Sequence, residues 1–124
     1  MTRFFLVCLG GAVGSGLRFL VGLAALALLG ARFPWGTLAV NLVGSFAIAF
    51  VMRVAESSDA LSPLARTTIV TGVLGGFTTF SSYMNESVVL VRQGQFLWAG
   101  LNLGGQVVTG FVAFWIAFSV ASWR

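Results

Sequence analysis

Four apolar stretches, near residues 4–29, 35–54, 64–91 and 96–123, take up nearly the whole of this chain. A bilayer core about 30 Å thick needs roughly 20 apolar residues per helix, so each stretch is long enough to cross it. The connections, 30–34, 55–63 and 92–95, are short. Composition agrees with a membrane setting: 58% of residues are hydrophobic and 8% are charged, where a soluble domain carries about 25% charged residues. Such a chain cannot cover a water-facing surface. The expectation is an all-α membrane protein, a single four-span domain over residues 1–124 with no room for a second. The first stretch is too long, and too closely followed by further spans, to read as a cleaved signal peptide.

The third stretch is the least helix-like. Residues 72–86 read GVLGGFTTFSSYMNE, with three glycines, two adjacent threonines and two serines. Lipid cannot satisfy backbone groups freed from a helix, so a break is tolerated only where protein, water or an ion supplies partners. The third helix is therefore expected to break near its middle. Broken helices at the bilayer midplane commonly build ion and substrate sites, and unwound carbonyls suit a hard cation such as Na⁺.

The inventory excludes most chemistry. There is no histidine, there are three acidic residues, and Cys8 is the one cysteine. Catalytic triads, transition-metal sites and a disulfide within one subunit lack raw material, so no enzyme is expected. All seven basic residues are arginine and the net charge is +4. They are scattered and sit mostly at span ends, where arginine reaches the interface; this is not a nucleic-acid patch. With four spans, both termini and the 55–63 connection share a side that carries Arg3, Arg53, Arg66 and Arg124. The other side carries Arg32 and Arg92. The positive-inside rule puts the termini in the cytoplasm, but so small a bias permits insertion both ways. Four short spans also enclose little, so an oligomer is expected. Dual insertion would allow an antiparallel homodimer with its two-fold axis in the membrane plane.

Individual spans carry further signals. Gly10/Gly14 and Gly11/Ser15 have the small-xxx-small spacing that lets helix backbones approach. Arg18 lies well inside the first span, where it either snorkels, caps a helix end or attracts an anion. Pro34 and Trp35 suit the start of a helix at the interface. Asn41, about two turns in, must hydrogen-bond; it either joins helices or lines a pore. Phe80 and Tyr83 share a helix face, and Glu86 is the acidic residue nearest a span interior. Asn102, Gln106 and Thr109 recur at i, i+4 and i+7 as one polar stripe, which faces either an interface or a pathway. Gly100 and Gly104 repeat the small-residue spacing.

Taken together, these residues resemble the Fluc (CrcB) family of bacterial fluoride channels, over essentially the entire chain. The resemblance rests on Gly11 to Gly14 followed by Arg18, on Pro34 to Leu38 leading to Asn41, and on Gly75 to Ser81. It implies an antiparallel homodimer with two separate fluoride pores in the bacterial cytoplasmic (inner) membrane. It implies a structural Na⁺ at the dimer interface, held by backbone carbonyls of Gly75 and Thr78 from both subunits. It puts Phe80, Tyr83 and Asn41 in the pore, Glu86 near one pore mouth, and part of the Asn102, Gln106, Thr109 stripe on the polar track of the fourth helix. Ser81 and Ser82 join Asn41 and the stripe as hydrogen-bond donors to the ion. The family usually has phenylalanine where this chain has Tyr83 and threonine where it has Ser82. The implied activity is passive, selective export of cytoplasmic fluoride. The alternative is a proton-coupled small multidrug-type transporter, but that class uses a glutamate in its first span, and residues 4–29 contain no acidic residue.

Overall fold

The architecture comes from a computed structural model, which describes residues 1–57 and 61–121. Residues 122 and 123 of the fourth apolar stretch, Arg124, and 58–60 of the second connection lie outside the described residues. Every regular element among the described residues is helical. Helix α1 (Thr2–Leu29) ends at Gly30, whose positive φ of 79° suits glycine. Helix α2 (Trp35–Ser57) follows Pro34, whose carbonyl accepts from the Leu38 N–H. The third rod is built in pieces: α3 (Pro63–Thr67), a π-helical stretch (Thr68–Leu74), α4 (Gly75–Phe77) and α5 (Phe80–Arg92). A turn through Gly94, φ 71°, leads into α6 (Phe96–Ala121). Helices α1, α2 and α6 are each long and apolar enough to cross a membrane. The protein is a multi-pass membrane protein.

Side chains are distributed as lipid dictates. Buried positions are mostly small, among them Ala49, Ala99, Ala117, Gly10 and Gly14, while Phe4, Phe5, Phe19, Val107 and Phe111 point outward. Lipid tails are as apolar as leucine, so helices associate through close packing rather than by hiding large apolar groups. Helix α2 lies along α6, α1 lies against the first half of the third rod and against α2, and α5 leans on α6.

The break falls at Thr78 and Thr79, near the middle of the third rod. Both are extended, with φ, ψ of −80°, 160° and −153°, 118°. The glycines that mark this region in the sequence are not in the break. Gly72, Gly75 and Gly76 stay helical, and two of them serve close approach. A side chain on Gly72 would meet the Val7 carbonyl at 3.0 Å, and one on Gly76 would meet the backbone of Gly11. From the other side, a Cβ on Gly14 would run into the Val73 carbonyl and one on Gly10 would lie 3.0 Å from the Thr68 carbonyl. Thus the small-residue spacing of α1 is matched by glycines of the third rod, at one seam. Gly100 and Gly104 differ: nothing lies within 4 Å of a Cβ built on either.

Candidate functional site

The backbone groups freed at the break are taken up by polar side chains of the break itself, of α2 and of α1. Thr79 caps α5 locally, its Oγ1 accepting from the Ser82 N–H at 3.2 Å, the ordinary role of a threonine before a helix. Asn41 of α2 meets both sides of the Thr79 peptide backbone. Its Oδ1 accepts from the Thr79 N–H at 2.8 Å and its Nδ2 donates to the Thr79 carbonyl at 3.1 Å. Arg18 of α1 donates from Nη1 to the Thr78 carbonyl at 3.0 Å. Ser15 Oγ donates to the Gly76 carbonyl at 3.4 Å. Arg18 is therefore a helix-end cap: a cation placed on the carbonyl end of α4, where the peptide dipoles favour positive charge.

From Asn41 the network runs on into α6. Asn41 Nδ2 also donates to Gln106 Oε1 at 2.7 Å. Gln106 Nε2 donates to Asn102 Oδ1 at 2.7 Å, and Asn102 Nδ2 donates to Ser87 Oγ at 2.9 Å. Ser87 closes the chain on the Tyr83 carbonyl at 2.7 Å. Asn102 is fully buried, and Ser87 and Gln106 are nearly so. Each amide is satisfied by the next, as burial requires.

The aromatic pair sits beside this network. The Phe80 and Tyr83 rings are 5.7 Å apart and tilted at 57°. Phe80 is 73% exposed and projects from the subunit, whereas Tyr83 is buried. The Tyr83 hydroxyl donates to the Leu103 carbonyl of α6 at 2.7 Å. That hydroxyl ties α5 to α6.

Ser82 and, more loosely, Ser81 gather around the Thr79 hydroxyl, at 3.0 and 3.4 Å. Glu86 stands apart from the break and pairs with α2, its Oε1 accepting from Thr37 Oγ1 at 2.7 Å. Thr109 does not join this hydrogen-bond network. It is exposed and donates to its own Gly105 carbonyl at 2.7 Å. The α5 residues that bond to α6, Tyr83 and Ser87, reach Leu103 and Asn102. Gly75 is exposed, and the Thr79 N–H, its ordinary helical partner, is drawn to Asn41 instead.

Three residues of the site carry no role on sequence alone. Thr79 is legible in retrospect as a threonine three residues before Ser82. Thr37 stands four residues before Asn41, on the same face. Ser87 lies four residues after Tyr83, where a serine reaches back to the carbonyl.

Fold and site define a class: a multi-pass α-helical membrane protein whose third rod breaks at mid-span and is clamped there by polar side chains. The family model described as CrcB-like protein, Camphor Resistance (CrcB), matches residues 5–118, and the chain belongs to that family. It is 48% identical to the fluoride-specific ion channel FluC of Chlorobium chlorochromatii (strain CaD3), over 98% of this chain and 94% of that protein. It is 45% identical to the protein of the same name from Anaeromyxobacter sp. (strain K), over 99% and 98% of the two chains. For the one from Allorhizobium ampelinum the identity is 43%, over 99% and 98%.

Proposed function

We propose that this chain is a passive, fluoride-selective channel that works as an antiparallel homodimer and exports fluoride across the bacterial inner membrane. The observation that carries the reading is the likeness, across nearly the full length of both chains, to proteins named fluoride-specific ion channels. The site's chemistry is compatible with it. Fluoride is small, hard and strongly hydrated, so a pore must replace its water with donors and still release it. Ring edges carry partial positive charge, and Phe80 offers one outside the subunit, where a second copy would enclose it. Ser81, Ser82 and the second N–H of Gln106 are donors beside the break. Asn41 has both amide protons engaged, on Thr79 and on Gln106. It serves an ion by exchanging one bond for another, which keeps net binding weak. Weak binding at several sites favours exit and so conduction. An inside-negative potential drives an anion outward by about 2.3 kcal/mol per charge per 100 mV.

The Gly75 and Thr78 carbonyls fit a structural Na⁺. The break diverts the helical donor of Gly75, and the Thr78 carbonyl keeps a second lone pair beside its bond from Arg18. Two such oxygens from each of two copies would hold the ion. It would join the subunits and take no part in permeation.

The direct test is efflux of fluoride from liposomes loaded with potassium fluoride, followed with a fluoride electrode. Efflux well above protein-free vesicles, with chloride retained, is expected. No efflux, or equal passage of chloride, would overturn the reading.

A further inference from the structure

A cleft of about 480 Å³ opens where residues 30–37, the first connection and the start of α2, face the second half of the third rod. Its lining includes Arg32, Thr37, Asn85, Glu86, Gln93 and Gln95. Among these described lining residues Arg32 is the one basic residue and Glu86 the one acidic residue. An ionised carboxyl in the lining of a cleft repels anions, so an anion path through it needs a compensating charge.

Arg32 is held in place to give one. Its guanidinium carbon lies 5.0 Å from the centre of the Trp98 ring, within the range of a cation–π contact. Trp98 packs on Phe33 at 5.6 Å, and Phe33 packs on Trp35 at 4.8 Å. Phe33 is buried, so this aromatic cluster ties the connection to the first turn of α6. An arginine merely reaching for the headgroups would have no need of such an anchor. The lining residues Thr37 and Glu86 also lie near the break. Thr37 is one helical turn before Asn41 on α2, and Glu86 one turn after Ser82 on α5. Each pair shares a helix face, so the Thr37–Glu86 contact sits one turn from the Asn41 clamp.

We infer that Arg32, laid on Trp98, is the anion-recruiting residue of this cleft, which is a mouth of the permeation path for a small hard anion. The inference rests on the channel reading above. Clefts lined with one sign of charge raise local ion concentration and on-rate by roughly 10- to 1,000-fold, and one guanidinium opposed by a carboxylate belongs at the low end of that range.

The test compares wild type, Arg32→Gln and Arg32→Lys in phosphatidylcholine liposomes. Initial fluoride efflux is measured against fluoride concentration, in low and in high sodium gluconate. At low salt and low fluoride, Arg32→Gln should lose about tenfold in rate, with little change at saturating fluoride. Arg32→Lys should recover most of the loss. In about 1 M salt, where the screening length falls to about 3 Å, the gap should close. Arg32→Gln matching wild type at low salt overturns the inference. So does a defect that persists at high salt, or that ignores fluoride concentration, which is the pattern expected if the guanidinium serves a lipid phosphate. Arg32→Lys as poor as Arg32→Gln also overturns it, since shape against Trp98 would then be what matters. A silent wild type defeats the channel reading and this inference with it, whereas a conducting wild type and an equally conducting Arg32→Gln defeat this inference alone.

Discussion

One side chain, Asn41, replaces the hydrogen bonds that the third rod loses at Thr79, and it hands its remaining proton to Gln106. Asn41→Asp keeps the acceptor for the Thr79 N–H but removes both donors. It strands the Thr79 carbonyl, at about 1–3 kcal/mol for an unpaired buried group, and turns a negative charge toward an anion path. Fluoride efflux from liposomes should fall severely in protein that still elutes as folded on size exclusion; wild-type rates would reduce Asn41 to packing. Tyr83 makes the opposite forecast. Its hydroxyl is spent on the Leu103 carbonyl, so Tyr83→Phe loses one ordinary hydrogen bond, about 1 kcal/mol of stability. Efflux should stay within about tenfold, which is about 1.4 kcal/mol at the barrier. Tyr83→Ile also removes the ring that packs on Phe80 and should be clearly worse. Equal damage from the two substitutions would mean that the hydroxyl, not the ring, is what the path uses.

At the scale of elements, the seam between α1 and the third rod decides whether the break can exist. The two backbones touch through Gly10, Gly14, Gly72 and Gly76. That contact brings Ser15 and Arg18 within reach of the Gly76 and Thr78 carbonyls. Gly14→Ala drives its Cβ into the Val73 carbonyl, a backbone atom that cannot step aside. Overpacking of this kind costs about 1–3 kcal/mol or more, and the expected result is a lower unfolding temperature in detergent with loss of the monodisperse peak. Gly104→Ala meets nothing within the subunit and relieves a glycine inside a helix, worth up to about 1 kcal/mol. It should unfold no lower than wild type. Similar losses for both would show that the tolerance of glycine positions is not set by this seam.

At the scale of the molecule, a single subunit leaves Phe80 and Gly75 uncovered, which is what a second copy in opposite orientation would cover. A cysteine introduced at Thr2, in a background with Cys8 replaced by serine, should react with a membrane-impermeant thiol reagent from both sides of the membrane. Labelling from one side alone would end the dual-topology proposal. A crystal structure of the protein purified in Na⁺ should hold one ion between the subunits, against the Gly75 and Thr78 carbonyls. A continuous interface there with no density would remove the ion from the proposal.

Much of this was determined by the sequence alone. Apolar runs of bilayer length make helices unavoidable, because lipid offers backbone groups no other partner. The glycine- and threonine-rich centre of residues 72–86 makes a break in the third of them the natural outcome. Family membership could be read from the order of short motifs around Arg18, Asn41 and Phe80. Polar residues at Asn41, Asn102 and Gln106 had to be satisfied somewhere, but their partners are distant in sequence, and no local pattern names them. Only the tertiary structure could decide that Arg18 caps Thr78 and that Asn41 clamps Thr79. It also decided that the Tyr83 hydroxyl serves Leu103 and that the Thr109 hydroxyl bonds within its own helix. Periodicity says which face of a helix a residue occupies; it does not say how far along a neighbouring helix the opposing groups extend. That offset is fixed only when the helices dock, through contacts between residues far apart in the chain, such as Asn41 with Thr79 and Tyr83 with Leu103.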